Sequence, residues 1–312
     1  MALTYVQATD TRERAFVQRA SLNLMLEAEL KTAIALAYAA GQLISDYYET
    51  EFEAEEKLGA DNYYEPVTAA DRAASRLIVD ALTTEFPDDA ILSEEESDDL
   101  ERRLSARRVW IIDPIDGTAG FVKKDGDFAV QIGLVESRRP ILGVVYMPAH
   151  KKVNFAVRGQ GAFESADQGD AVRLHVSDVS DLNSLSLAMS RNHPSARMNR
   201  VIEHFQFAKI CRRGSVGLKV SLIACRECDI YIHPSPRTKL WDTCAPQIIL
   251  EEAGGKLTDL FGRVIRYDRP DLQNHDGIVA SNGASHAAAI EHLKPLLAEF
   301  GRVPHCSSSQ AA

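Results

Sequence analysis

The stretch VWIIDPIDGT, residues 109–118, runs from four bulky apolar side chains straight into two carboxylates, Asp113 and Asp116, and then into Gly117 and Thr118. Val109, Trp110, Ile111 and Ile112 read as a buried strand. A carboxylate at the mouth of such a strand is costly to desolvate unless it is hydrogen-bonded, paired or bound to a cation. Pro114 fixes the turn between the two acids. That geometry can aim both side chains, and the carbonyl of Ile115, at one place.

Acids recur at comparable element ends on either side. ILSEEES puts Glu94 and Glu95 just after Ile91 and Leu92, Asp71 opens a helical stretch, and KLWDTCAPQ puts Asp242 at the start of another. Taken singly, each has an ordinary reading as a helix cap or a solvated loop residue. Taken together, clustered carboxylates raise one another's pKa and call for cations. The candidate ligands are carboxylate and carbonyl oxygens, and the 9 histidines are scattered without an H-x-H or H-E-x-x-H pattern, which disfavours zinc. An all-oxygen set with room for water suits Mg²⁺. Two such ions about 3.5–4 Å apart are a recurrent device for phosphoryl transfer.

Gly117 and Thr118 then acquire a purpose. Glycine lets the backbone approach closely, and successive N–H groups at a turn hold phosphate oxygens. Thr118 can orient an attacking water whose proton Asp71 accepts. No G-x-x-x-x-G-K-[ST] and no G-x-G-x-x-G occurs, so nucleoside-triphosphate and dinucleotide readings have no support.

The rest of the 312-residue chain bounds these ideas. A formal net charge of −10 argues against coating nucleic acid, so an anionic substrate must meet local cations or metal. The N-terminus lacks a basic segment followed by an apolar one, and no apolar run approaches the ~20 residues of a membrane helix. The reading is a soluble, cytoplasmic protein with no membrane partner. The 5 cysteines are too few and too irregular for a disulfide framework, and the Cys225-x-x-Cys228 pair lacks the second pair a zinc site needs.

Apolar periodicity predicts a long helix over 22–49 and a second over 68–86, capped by Thr68 and closed by Pro87. Residues 50–65 read as a polar connection. Short strands are expected at 90–93 and 108–112, and three β-rich runs between 127 and 157 form an antiparallel meander. Further strands fall at 185–190, 208–212 and 229–232, with helices at 215–226, 242–253 and 284–299. Pro246 is placed in the first turn of the 242–253 helix, which makes Asp242 or Thr243 its N-cap. Mixed order of this kind is an α+β arrangement of layers.

Asp71, the SEEE run with Glu94 and Glu95, DPIDGT at 113–118, the Trp241–Asp242 pair and Gly254–Gly255 together resemble the signature of the Mg²⁺-dependent, lithium-sensitive phosphatases. That superfamily includes inositol monophosphatases, inositol polyphosphate 1-phosphatases, fructose-1,6-bisphosphatases and 3′(2′),5′-bisphosphate nucleotidases. The resemblance spans roughly residues 25–298 and implies an α/β/α/β/α layered sandwich with antiparallel sheet. It goes with an N-terminal half, 1–180, carrying most metal ligands and a C-terminal half, 181–302, completing the site, while the composition of the tail, 303–312, reads as disordered. By the same resemblance, Glu94, Asp113, the Ile115 carbonyl, Asp116 and Asp242 hold two or three Mg²⁺ ions. Asp71 and Thr118 activate water, Glu95 supports a further metal site, and the amides of Gly117 and Thr118 hold phosphate. Families of this kind often form homodimers, and the sequence itself fixes no oligomeric state.

Among these families the chain looks most like the bisphosphate nucleotidases, through PVTAADRAA, ILGVVYMPA and SPRTKLWDTCAPQIILEEAGGKLTD. Inositol monophosphatases resemble one another in carrying a Glu shortly before the Trp–Asp pair. Here Arg237 and Lys239 stand in that stretch, and two cations beside a metal site suit a second phosphate better than a polyol. Ser215 and Lys219 occupy positions where nucleotidases present a Ser and a Lys to nucleotide. Two departures are Ala119, where many nucleotidases have Lys, and His233, near where some relatives carry an Arg. The expectation is removal of the 3′-phosphate of 3′-phosphoadenosine 5′-phosphate. The alternatives are an inositol or sugar phosphatase and a catalytically inactive binding module.

Overall fold

The computed structural model describes residues 26–50, 54–58, 64–191 and 195–305. Helix α1 (Glu27–Tyr48) buries Ala33, Ala37, Ala40 and Ile44 along one stripe, the small side chains letting it lie close to its neighbours. A hairpin follows, β1 (Ala54–Leu58) and β2 (Tyr64–Thr68), in the stretch the sequence assigned to a polar connection. Thr68 caps α2 (Ala69–Glu85) through a capping box with Asp71.

The first sheet contains β3 (Ala90–Ser93), then, after the short helix α3 (Leu100–Ser105), β4 (Arg108–Asp116). Helix α4 (Thr118–Val122) separates β4 from the meander β5 (Ala129–Glu136), β6 (Arg139–Met147) and β7 (Lys152–Val157), extended by β8 (Gly161–Ala166) and β9 (Val172–Arg173). The 7 strands pair in chain order, with only β3 and β4 parallel. The second sheet is built from β10 (Ser186–Ser190), α5 (Ala196–Phe205), β11 (Lys209–Arg213), α6 (Val216–Ala224), β12 (Ile230–His233), α7 (Leu240–Glu252), β13 (Lys256–Thr258), β14 (Ile278–Ser281) and α8 (His286–Glu299). Its 5 strands run β11-β10-β12-β14-β13.

Strand alternation assigns the layers. Along β4, Trp110 and Ile112 join the cluster under α1 and α2, while Val109 and Ile111 point to the opposite side with α6 and α7. Along β10 and β12, Leu187, Met189, Ile230 and Ile232 pack under α5 and α8, while Ala188 and Tyr231 face α6 and α7. Helices α6 and α7 are therefore the shared middle of an α/β/α/β/α sandwich, and one apolar cluster runs through them from sheet to sheet. Arg108 fixes the start of β4 by pairing with Asp89 at 2.7 Å and Glu29 at 2.6 Å.

Two expectations need correction. Helix α7 starts at Leu240 with Lys239 as its N-cap, so Asp242 is the third helical residue and Pro246 lies inside the helix. Asp242 accepts the Lys239 N–H at 2.5 Å, which closes the first turn earlier than a proline-led start would allow. The strands β1, β2, β8, β9, β13 and β14 and the helices α3, α4 and α5 add to the predicted set. Residues 22–25 of the predicted first helix and 306–312 of the tail, including Cys306, lie outside the described residues. No helix among the described residues is long and apolar enough to cross a membrane.

Candidate active site

The DPID stretch works through a break in register. Asp113 pairs with Gln131 and Asp116 with Ala129, so three steps on β4 face two on β5. That is a one-residue bulge, and it cancels the alternation that would send residues three apart to opposite faces. Asp113 keeps the parity of Val109 and Ile111, pointing to the middle layer, and the bulge returns Asp116 to the same side. Carboxylate oxygens of Asp113, Asp116 and Asp242, the last from the first turn of α7, lie within 4.8 Å of one another.

Gly117 follows with φ of +96°, a left-handed conformation that favours glycine. A Cβ there would stand 2.6 Å from the Asp127 carbonyl oxygen. This turn delivers Thr118, whose Oγ1 sits 3.0 Å from the Ile115 carbonyl and 3.1 Å from Asp71 Oδ1. The hydroxyl has one proton, so it donates to one of these acceptors at a time. The other oxygen of Asp71, Oδ2, accepts the Thr68 N–H at 2.7 Å and its hydroxyl at 2.6 Å. Asp71 is thus held by its own helix cap and offers Oδ1 to the site. Glu94 leaves the end of β3, its N–H bonded to the Ile112 carbonyl at 3.2 Å, and lines the cleft. Glu95 follows in the same turn, half-buried, and is not among the cleft-lining residues.

Asp116 is anchored more heavily than the sequence suggested. Ser215 Oγ donates to it at 2.5 Å, the N–H groups of Val216 and Gly217 at 3.0 and 2.6 Å, and Gln131 Nε2 also donates. It therefore sits on the N-terminus of α6, where the helix dipole favours negative charge. Ser215 caps that helix, its Oγ accepting the Leu218 N–H at 3.0 Å. Lys219 is 3% exposed, donates to the carbonyls of Gly214 and Ser215, and packs its ammonium 5.0 Å from the centre of the Tyr231 ring. Burial lowers its pKa to about 8, against the opposing pull of Asp116, Asp242 and Asp127.

These groups share one cleft of about 660 Å³. Glu94, Asp113, Ile115, Asp116, Gly117, Thr118, Ser215, Lys219, Arg237, Lys239 and Asp242 all line it, and so does Ala119. Lys239 lies 5.0 Å above the Trp241 ring. His233 also lines the wall, with its ring nitrogens 3.1 Å from Tyr231 Oη and 2.8 Å from Ser235 Oγ. Sequence reading missed Gln131, whose partner across the strands is Asp113, and Arg197 and Ser190, which also line the cleft. No local pattern marks them, because only the fold brings β10 and α5 to this cleft.

The electrostatics call for a cation. Burial pushes Asp71 up to about 6, with the hydrogen bonds from Thr68 opposing and Glu95 and Glu94 adding to the rise. Burial likewise raises Asp116, and raises Asp242 well above the ordinary carboxylate range with help from Asp116 and Glu94. Crowded, desolvated acids of this kind are relieved by a bound ion, and the donor set is oxygen throughout, which fits a hard divalent metal.

An α/β/α/β/α sandwich whose strand bulge and helix starts converge on an all-oxygen acidic cluster fits the layered phosphatases that work with metal ions. The chain belongs to the inositol monophosphatase family, whose model matches residues 25–298. It is 34% identical over 232 residues to the 3′(2′),5′-bisphosphate nucleotidase CysQ of Escherichia coli (strain K12), covering 74% of this chain and 91% of that protein. It is 36% identical over 231 residues to the histidinol-phosphatase of Mycobacterium tuberculosis (strain ATCC 25618 / H37Rv), covering 73% of this chain and 84% of that one. The solved structure of CysQ from Bacteroides thetaiotaomicron superposes with a TM-score of 0.70 at 32% identity, covering 83% of this chain and 99% of that chain.

Proposed function

We propose that this phosphatase is Mg²⁺-dependent and removes the 3′-phosphate of 3′-phosphoadenosine 5′-phosphate, yielding AMP and inorganic phosphate, in the cytoplasm. The observation that carries the reading is the shared cleft: the acidic cluster and the cations Arg237 and Lys239 line the same cavity of about 660 Å³. A substrate with one phosphate to lose and a second to be recognised fits that division. The relatedness to nucleotidases over most of the chain supports it further.

Glu94, Asp113, the Ile115 carbonyl, Asp116 and Asp242 would hold the metal, which when bound supplies charge neutralisation at phosphoryl oxygens and acidifies water. Thr118 Oγ1 orients the attacking water, and Asp71 Oδ1, 3.1 Å from that hydroxyl, receives its proton. Burial makes the Asp71 carboxylate more basic than an ordinary one in the metal-free protein. Water attacks phosphorus, the P–O bond to the ribose 3′-oxygen breaks, and that oxygen leaves with a proton from solvent. The amides of Gly117 and Thr118 hold the departing phosphate, Glu95 supports a further ion, and Arg237 and Lys239 face the remainder of the substrate, while Ser215 and Lys219, expected from the resemblance to do so, line the same cleft with their side chains held by Asp116 and by backbone carbonyls.

The test is phosphate release with Mg²⁺ from the bisphosphate nucleotide, inositol 1-phosphate and histidinol phosphate, each with and without Li⁺. The nucleotide is expected to be hydrolysed fastest, with Li⁺ inhibiting. An equal or greater rate on inositol or histidinol phosphate defeats the substrate assignment. Calorimetry showing no Mg²⁺ uptake would favour an inactive binding module.

A further inference from the structure

Asp127 has no part in the chemistry above, yet it is 2% exposed and reaches from the first sheet to the second. Its Oδ2 accepts the Gly214 N–H at 2.7 Å, and Arg191 Nη2 lies 3.1 Å from the same oxygen. Arg213 Nε stands 3.9 Å from Oδ1, and the Asp127 N–H is turned inward to Asp125 Oδ1 at 2.9 Å. A buried carboxylate with this many partners is held firmly in place.

What it holds is the segment before α6. Ser215 has φ of +53° and ψ of 141°, a region that a non-glycine residue keeps only when its surroundings enforce it. The enforcement comes from both sides. Asp127 takes the N–H of Gly214, and Lys219 Nζ donates to the carbonyls of Gly214 and Ser215. A Cβ at position 214 would stand 2.8 Å from the Cβ of Asp127, so glycine is required there by the closeness of the grip. In the enforced conformation Ser215 Oγ reaches Asp116 at 2.5 Å, and the Val216 and Gly217 amides fall on the same carboxylate.

We infer that Asp127 is a positioning residue for the acidic cluster: its hold on the Gly214 N–H keeps Ser215 in the strained conformation that aims Ser215 and the first amides of α6 at Asp116. The inference rests on the reading of Asp116 as part of the metal cage. Groups that orient metal ligands in this way typically contribute about 10–100-fold to metal affinity.

The experiment compares wild type, Asp127→Asn, Asp127→Ala and Gly214→Ala by calorimetry with Mg²⁺ alone, alongside circular dichroism. Asparagine keeps an oxygen to accept the Gly214 N–H and should stay within about threefold of wild type, whereas Asp127→Ala should lose about 10–100-fold in Mg²⁺ affinity. Should Asp127→Ala fail to fold, Gly214→Ala carries the test, since its Cβ pushes the grip apart while leaving the carboxylate present. Unchanged Mg²⁺ affinity in the folded alanine variants overturns the inference. So does an asparagine variant as impaired as Asp127→Ala, which would assign the effect to the ion pair with Arg191. A wild type that takes up no Mg²⁺ defeats the proposed function instead, so the two failures are separable.

Discussion

The two walls of the cleft are built by different means. The wall from the first sheet, carrying Asp113, Ile115, Asp116, Gly117 and Thr118, comes from one short segment, in which a bulge, a left-handed glycine and a short helix follow in sequence. The other wall gathers Ser215, Lys219, His233, Arg237, Lys239 and Asp242 from α6 and its cap, the end of β12, and the approach to and first turn of α7. Local backbone chemistry thus sets the acid geometry on one side, and packing of the middle layer sets the other. The contrast predicts that reaction chemistry depends on both walls and substrate preference mainly on the second.

The strongest way to break that comparison is to remove one carboxylate from each wall. Asp113→Asn and Asp242→Asn should each lower Mg²⁺-dependent phosphate release by more than about 100-fold, beyond the usual effect of groups that merely orient ligands. The metal-free protein at pH 8 should melt no lower with Asp242→Asn, because the carboxylate is held far above its ordinary range by burial and by Asp116. Asparagine also keeps an acceptor for the Lys239 N–H. Retained activity in Asp242→Asn, measured by phosphate release, would detach the second wall from the acidic cage.

The same contrast governs what could be read from the sequence. The first wall was legible because its signals are local: VWII announces a buried strand, Pro114 a turn, and Thr68 with Asp71 a helix cap. The layering was legible through the resemblance and the β-rich meander. Asp127, Gln131 and Arg197 were not, since only the fold brings Asp127 to Gly214, Gln131 to Asp116 and Arg197 to the cleft. The start of α7 was misplaced because Pro246 is a strong signal for a first turn, and the bond from the Lys239 N–H to Asp242 outweighed it.

Titration sharpens the comparison next. Burial lifts Asp71 from 3.8 to about 6, and Asp116 and Asp242 move in the same direction. Between about pH 4 and 6 the metal-free folded state therefore binds more protons at Asp71 than the unfolded chain does, and this contribution to stability falls as pH rises through that window. A bound cation favours the ionised forms and offsets the loss. The rise in melting temperature on adding Mg²⁺ should accordingly be larger at pH 8 than at pH 5, as differential scanning fluorimetry can measure. An equal rise at both pH values would mean that these carboxylates do not hold the ion.

The smallest expected effect concerns the second wall alone. Arg237 and Lys239 line the cleft without belonging to the acidic cluster, and Lys239 is also braced over the Trp241 ring. If they meet a second phosphate, Arg237→Ala and Lys239→Ala should each raise KM for the bisphosphate nucleotide by about tenfold, near 1.4 kcal/mol, with kcat little changed. The same variants should leave hydrolysis of a monophosphate such as inositol 1-phosphate within about twofold of wild type, because that substrate offers no second anion to lose. Arginine's planar fork can engage a phosphate with two hydrogen bonds, so Arg237→Lys should recover less than its retained charge suggests. Equal KM changes on both substrates would show that the cations serve the reacting phosphate instead, and the division of labour between the walls would then fail.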